Sequence, residues 1–131
     1  MNILTDWKKY GFYSALTLLT ALFLMAGVTK VSGAEMHIET FTRYGLPVAF
    51  MYFIGAAEIA GAIGIWFTKI SALTASGLIS IMLGAITMHI IHDPISTAIP
   101  AVVAALLLLY VIKLRVRDTL FQSTTPGTAT H

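Results

Sequence analysis

From Val48 to Thr68 the chain carries a single charge, Glu58, near the middle of the run, with Pro47 before it and Lys69 after it. At 1.5 Å per helical residue, Glu58 falls roughly 16 Å from Pro47, about the midplane of a bilayer's ~30 Å hydrocarbon core. A carboxylate at that depth costs about 2.5–3.5 kcal/mol even on the mildest insertion scale, so it must face protein or a cavity and not lipid. One helix cannot supply that shelter by itself. Neighbouring spans must do so.

The sequence offers three such neighbours. Apolar runs extend from about Phe12 to Val31, from Ile70 to about Ile91 and from about Ser96 to Ile112, alongside the Pro47–Thr68 run. Each approaches the ~20 residues that cross a bilayer. The first is too long for the roughly 7–15-residue core of a signal peptide and is read as a retained span. Of the 131 residues 57% are hydrophobic and 11% charged, against about 25% charged in soluble domains. The expected fold is therefore all-α: a four-helix transmembrane bundle over residues 1–117. Residues 118–131 are rich in Thr, Ser, Gly and Pro and are expected to form a disordered tail. A short interfacial helix is expected between Glu35 and Tyr44.

Charge placement gives a direction. With four spans both termini share a side. Lys8, Lys9, Lys69, Lys113, Arg115 and Arg117 then lie there, against Lys30 and Arg43 opposite. Basic residues gather on the cytoplasmic face, so both termini are expected to be cytoplasmic, in a bacterial inner membrane. The same residues flank apolar runs and form no basic face, which argues against nucleic-acid binding. The lipid bilayer is the partner they fit. No cysteine is present, so the chain holds no disulfide, thiol redox centre or Cys-bound metal.

Taking the middle of each span as one layer places Thr20 and Ser80 beside Glu58. Their hydroxyls are the expected hydrogen-bond partners of a neutral acid. Glu58 can then be a pin fixing helix register, or an acid that carries a proton or orients a ligand. Lys30 closes the first span, an estimated 10–15 Å above Glu58, and is expected to face the mouth of the bundle. His89 and His92 are three apart on one face, with Asp93 next. No HExxH pattern occurs and no metal site is assigned; His89 alone, pointing inward, is the candidate. Tyr52 and neighbouring Met and Phe residues could line an apolar pocket for a quinone or lipid, or simply pack. Ala57 and Gly61, Ala60 and Gly64, and Ser80 and Gly84 stand four apart, as in close helix contacts.

Several of these stretches resemble a known family. Phe23-Leu24-Met25-Ala26-Gly27-Val28-Thr29-Lys30 resembles the first-helix signature of DoxX-like membrane proteins. Phe41, Gly45-Leu46-Pro47 and Gly55-Ala56-Ala57-Glu58-Ile59-Ala60-Gly61-Ala62-Ile63-Gly64 are similar to that family's approach to its second helix and its intramembrane Gly-x-x-Glu motif. Gly77-Leu78, Met82-Leu83-Gly84-Ala85, His89 and Pro100 fall where members carry small, His and Pro residues. The resemblance covers about Leu19 to Leu109. It implies a four-helix integral membrane protein, with relatives that include the small subunit of a thiosulfate:quinone oxidoreductase, proteins tied to thiol and oxidative stress, and membrane-protein assembly factors. It points to Lys30, Glu58 and His89 as a polar site.

The reading that follows is an accessory subunit of a quinone-linked membrane redox system. Its ligand site would comprise Glu58, Lys30, His89, Thr20, Ser80 and Tyr52, holding a quinone or lipid. No complete catalytic constellation is visible, so the chain is not expected to be an enzyme by itself. The alternative is a non-catalytic scaffold or assembly factor that binds partner helices, or a second copy in a homodimer, through its small-residue faces.

Overall fold

The computed structural model describes residues 3–124, with side chains placed for residues 7–117. Five α-helices follow one another: α1 Ile3–Val31, α2 Glu35–Arg43, α3 Val48–Gly64, α4 Ser71–His92 and α5 Ile99–Thr124, with a 3-10 turn at Ile95–Ala98 before the last. There is no strand among the described residues. The all-α transmembrane bundle expected from sequence is the fold observed.

The breaks fall where backbone chemistry demands them. At the end of α1 the Gly33 N–H bonds the Lys30 carbonyl and the Ala34 N–H bonds the Thr29 carbonyl, with Gly33 at φ 75°. This two-bond cap needs a left-handed residue, which glycine adopts without a Cβ clash. The same cap closes α2: Gly45 N–H to Thr42, Leu46 N–H to Phe41, and Gly45 at φ 73°. Pro47 then opens α3 in an extended conformation. Pro100 sits in the first turn of α5, where no intrahelical N–H is required.

α1 packs chiefly on α3 and α4 on α5, and the two pairs close into a bundle along α3–α4 and α1–α5. α1, α4 and α5 each contribute a stripe at three- and four-residue steps: Phe12, Leu16, Leu19 and Phe23 on α1 join Ala101, Ala104, Leu108 and Val111 on α5 and Ala75, Leu78 and Met82 on α4. This spacing is one face of a helix. The opposite faces stay apolar, with Leu73 77% and Leu106 61% exposed. Such surfaces are a liability in water and ordinary in lipid, so the protein is an integral membrane protein.

The span boundaries differ from expectation in two places. α1, α4 and α5 are each long and apolar enough to cross a membrane. α3 reaches that length only when taken with α2, across a 120° bend. The second span, expected to be helical to Thr68, stops at Gly64. Thr74 of α4 packs directly on Gly64, and the Ser71 hydroxyl donates to the Ile65 carbonyl at 2.7 Å, so the chain turns back at once. α5, in contrast, runs past Arg117 to Thr124, which corrects the expected start of a disordered tail at residue 118. No Gly or Pro interrupts the sequence between Pro100 and Pro126. The remainder of that tail, residues 125–131, lies outside the described residues.

Candidate functional site

The site begins with two glycines. A Cβ on Gly27 would stand 2.7 Å from the Gly55 carbonyl oxygen, and one on Gly55 would stand 2.8 Å from the Lys30 Cβ. α1 and α3 therefore approach almost backbone to backbone, as small residues permit in membranes. Helical side chains lean toward the start of their own helix, so Lys30 reaches back along α1 into the bundle. Its Nζ donates to Glu58 Oε2 at 2.9 Å and, more weakly, toward the Ala26 carbonyl at 3.4 Å. Glu58 is 2% exposed and the Lys30 side chain 13%.

This ion pair corrects the expected separation. Lys30 abuts Gly55, only three residues from Glu58, so it stands about 4.5 Å higher along α3 and not 10–15 Å. The first turns of α3 rise beyond the end of α1, so depths counted from Pro47 and from Val31 do not share an origin. Glu58 Oε1 has no hydrogen-bond partner among the described residues. Every fully enclosed side-chain nitrogen or oxygen there does have one. Oε1 is therefore not fully enclosed.

The layer expected around Glu58 does not form. Thr20 donates to the Leu16 carbonyl and accepts from Trp66 Nε1, both at 2.7 Å. With Gly27 opposite Gly55 and Ile59, Thr20 lies seven residues earlier in α1, about 10 Å from the pair. Ser80 bonds the Ser76 carbonyl at 3.2 Å on the exposed side of α4, because Leu78 and Met82 occupy the inward face. Tyr52 is on the exposed side of α3, with its hydroxyl toward Gly33. An open groove of about 510 Å³ lined by Tyr10, Tyr13, Ser14, Thr17, Leu18 and Ala21 runs along α1, away from the pair.

His89 belongs to a second cluster. Asp93 ends α4, and its carboxylate accepts from Arg43, from the Tyr44 hydroxyl and from His89 Nδ1, the last at 2.8 Å. The Tyr44 hydroxyl is also 3.0 Å from His89 Nδ1, and the Tyr44 ring lies 4.8 Å from that of His92. The donations from Tyr44, Arg43 and His89 hold the Asp93 carboxyl well below the usual carboxylate range. Partial burial first, then the bond to Asp93, pushes the Tyr44 phenol up to about 12. The cluster fastens the α2–α3 turn to the end of α4. On the other side of α2, His37 Nε2 lies 3.0 Å from Thr29 Oγ1. The Thr29 hydroxyl proton already serves α1 carbonyls, so His37 is the donor.

Arg43, Tyr44 and Asp93 are absent from the sequence-derived site. Their one sequence signal is the His89–Asp93 spacing of four, which puts both side chains on one helical edge. Among the described residues no three His, Cys, Asp or Glu side chains are grouped to hold a metal.

Comparison with known proteins places the chain beside a family and a relative of known sequence. A sequence model described as the DoxX-like family matches residues 14–110. The protein YdgD of Bacillus subtilis (strain 168), described as uncharacterized, is 32% identical over 100 residues, covering 70% of this chain and 87% of that protein. No solved structure gives a significant match.

Proposed function

From the DoxX-like family, to which this chain belongs, we propose an accessory subunit of a quinone-linked membrane redox system that holds a lipophilic ligand beside Lys30 and Glu58. The observation that carries this reading is the ion pair itself, sequestered between α1 and α3 with Glu58 Oε1 unpartnered among the described residues. Charges taken out of water are costly, and apolar residues of like volume often serve stability as well or better. A polar pair with spare hydrogen-bonding capacity suits recognition of a ligand headgroup. His89, held by Asp93, would pass protons at the α2 end. The six-to-two distribution of Lys and Arg supports cytoplasmic termini and a bacterial inner membrane.

A second reading has its own observation. A Cβ on Gly77 or Gly84 would meet nothing within 4 Å, so the outer face of α4 carries glycines that packing within the bundle does not use. Glycine weakens a helix by roughly 1 kcal/mol relative to alanine, and close approach of another helix is what offsets that. A scaffold or assembly role, or a homodimer through α4, fits that face.

Native mass spectrometry of the detergent-purified protein separates the two. The ligand reading expects a co-purifying quinone or lipid that Lys30→Ala loses while the helical content is unchanged. Wild-type protein without any bound quinone or lipid, together with association lost in Gly84→Leu, would instead establish the scaffold.

A further inference from the structure

We infer that the Lys30–Glu58 site takes the hydroxyl-bearing form of its ligand, a quinol or another lipophilic alcohol, in preference to a quinone carbonyl. The inference rests on the ligand-binding reading above and names the chemical class that the site accepts.

The donor and acceptor inventory decides it. Paired with Lys30 at 2.9 Å, Glu58 acts as a carboxylate, which only accepts hydrogen bonds. Oε2 takes the Lys30 bond; Oε1 is unpartnered among the described residues and is not fully enclosed. A group arriving there has to donate. The ammonium beside it has three N–H donors, of which one serves Oε2 and one points weakly to the Ala26 carbonyl. Donor capacity remains. A hydroxyl meets both needs at once, giving its proton to Oε1 and receiving an N–H from Nζ on its own oxygen. A carbonyl, ether or ester can answer only Lys30. It leaves Oε1 unpaired and sets a second lone pair against it.

Charge narrows the class further. The pair is neutral as a unit, so a phosphate headgroup would oppose Glu58 and a quaternary ammonium would oppose Lys30. The ligand is neutral.

The test uses the full chain in detergent, without oxygen, titrated with a short-chain ubiquinol, the matching ubiquinone, the dimethyl ether of that quinol, and farnesol. Wild-type protein should bind the quinol at least about tenfold tighter than the quinone or the dimethyl ether, since leaving a buried acceptor unpaired forfeits its desolvation. Binding of farnesol supports the same conclusion and shows that the ring is dispensable. In Glu58→Gln the amide can donate to a carbonyl, so the preference should shrink toward parity. Equal or tighter binding of the quinone to wild type overturns this inference and leaves the ligand-binding reading intact. Binding of none of the four overturns both. The wild-type series decides the matter even where Glu58→Gln is poorly folded.

Discussion

Lys30–Glu58 and the Arg43–Tyr44–His89–Asp93 cluster are built from similar groups, yet they occupy opposite regimes. The first joins two helices inside the bundle, with one carboxylate facing one ammonium and little else. The second sits at an open end, where three donors surround one carboxylate and Arg43 is 52% exposed. Inside, each charge has one counterpart, and losing either strands the other. At the end, water and the remaining donors can replace what is lost. The largest expected effect is therefore at the pair. Lys30→Met alone should destabilise the protein by about 3–5 kcal/mol in detergent unfolding, while Lys30→Met combined with Glu58→Leu should be near neutral or stabilising. A double variant as weak as the single one would mean that the two regions do not differ in this way.

The interior pair exists only because its helices touch. A leucine at Gly55 would press its Cβ to 2.8 Å from the Lys30 Cβ and 2.9 Å from the Gly27 carbonyl. That oxygen is backbone and cannot swing aside, so α1 and α3 must part. Gly55→Leu is expected to cost about 1–3 kcal/mol, and to cost less in the Lys30→Met/Glu58→Leu background, where no ion pair remains to be pulled apart. The Asp93 cluster should not register the change. Faster amide exchange in the α2–α3 turn as well would mean that the two regions are mechanically one.

Sequence carried the inventory of this molecule further than its alignment. Four apolar runs, one sheltered acid, and breaks at Gly33, Gly45 and Pro47 are all readable from residue type, since span length, desolvation and left-handed backbone are local properties. The axial stagger of α1 against α3 is not local. It is set by which glycines meet, Gly27 with Gly55, and no count of residues from a membrane edge supplies that. For this reason Thr20 and Ser80 are not beside Glu58, and Lys30 lies nearer to it than expected. His89 left the expected site because Asp93, one turn on, and Tyr44, from a different part of the chain, offer it closer partners.

The smallest expected effect belongs to the outer cluster and is a matter of pH. Asp93 has a carboxyl held below its ordinary range, so its contribution is complete above about 4 and declines as pH falls from there toward the depressed native value. Tyr44 works in the other direction. Its phenol, pushed up to about 12, favours the fold fully below the ordinary value of about 10 and loses that contribution as pH rises toward 12. Docking of the α2–α3 turn on α4 should accordingly loosen below about pH 4 and above about pH 10. Tyrosine-selective NMR of the Tyr44 ring, which lies against His92, reads that docking directly. Asp93→Asn should remove the acid limb while leaving the Lys30–Glu58 region unchanged. An acid limb that survives Asp93→Asn would place the titrating group elsewhere and dissolve the contrast between a pair that depends on exclusion from water and a cluster that depends on the charge of one carboxylate ringed by three donors.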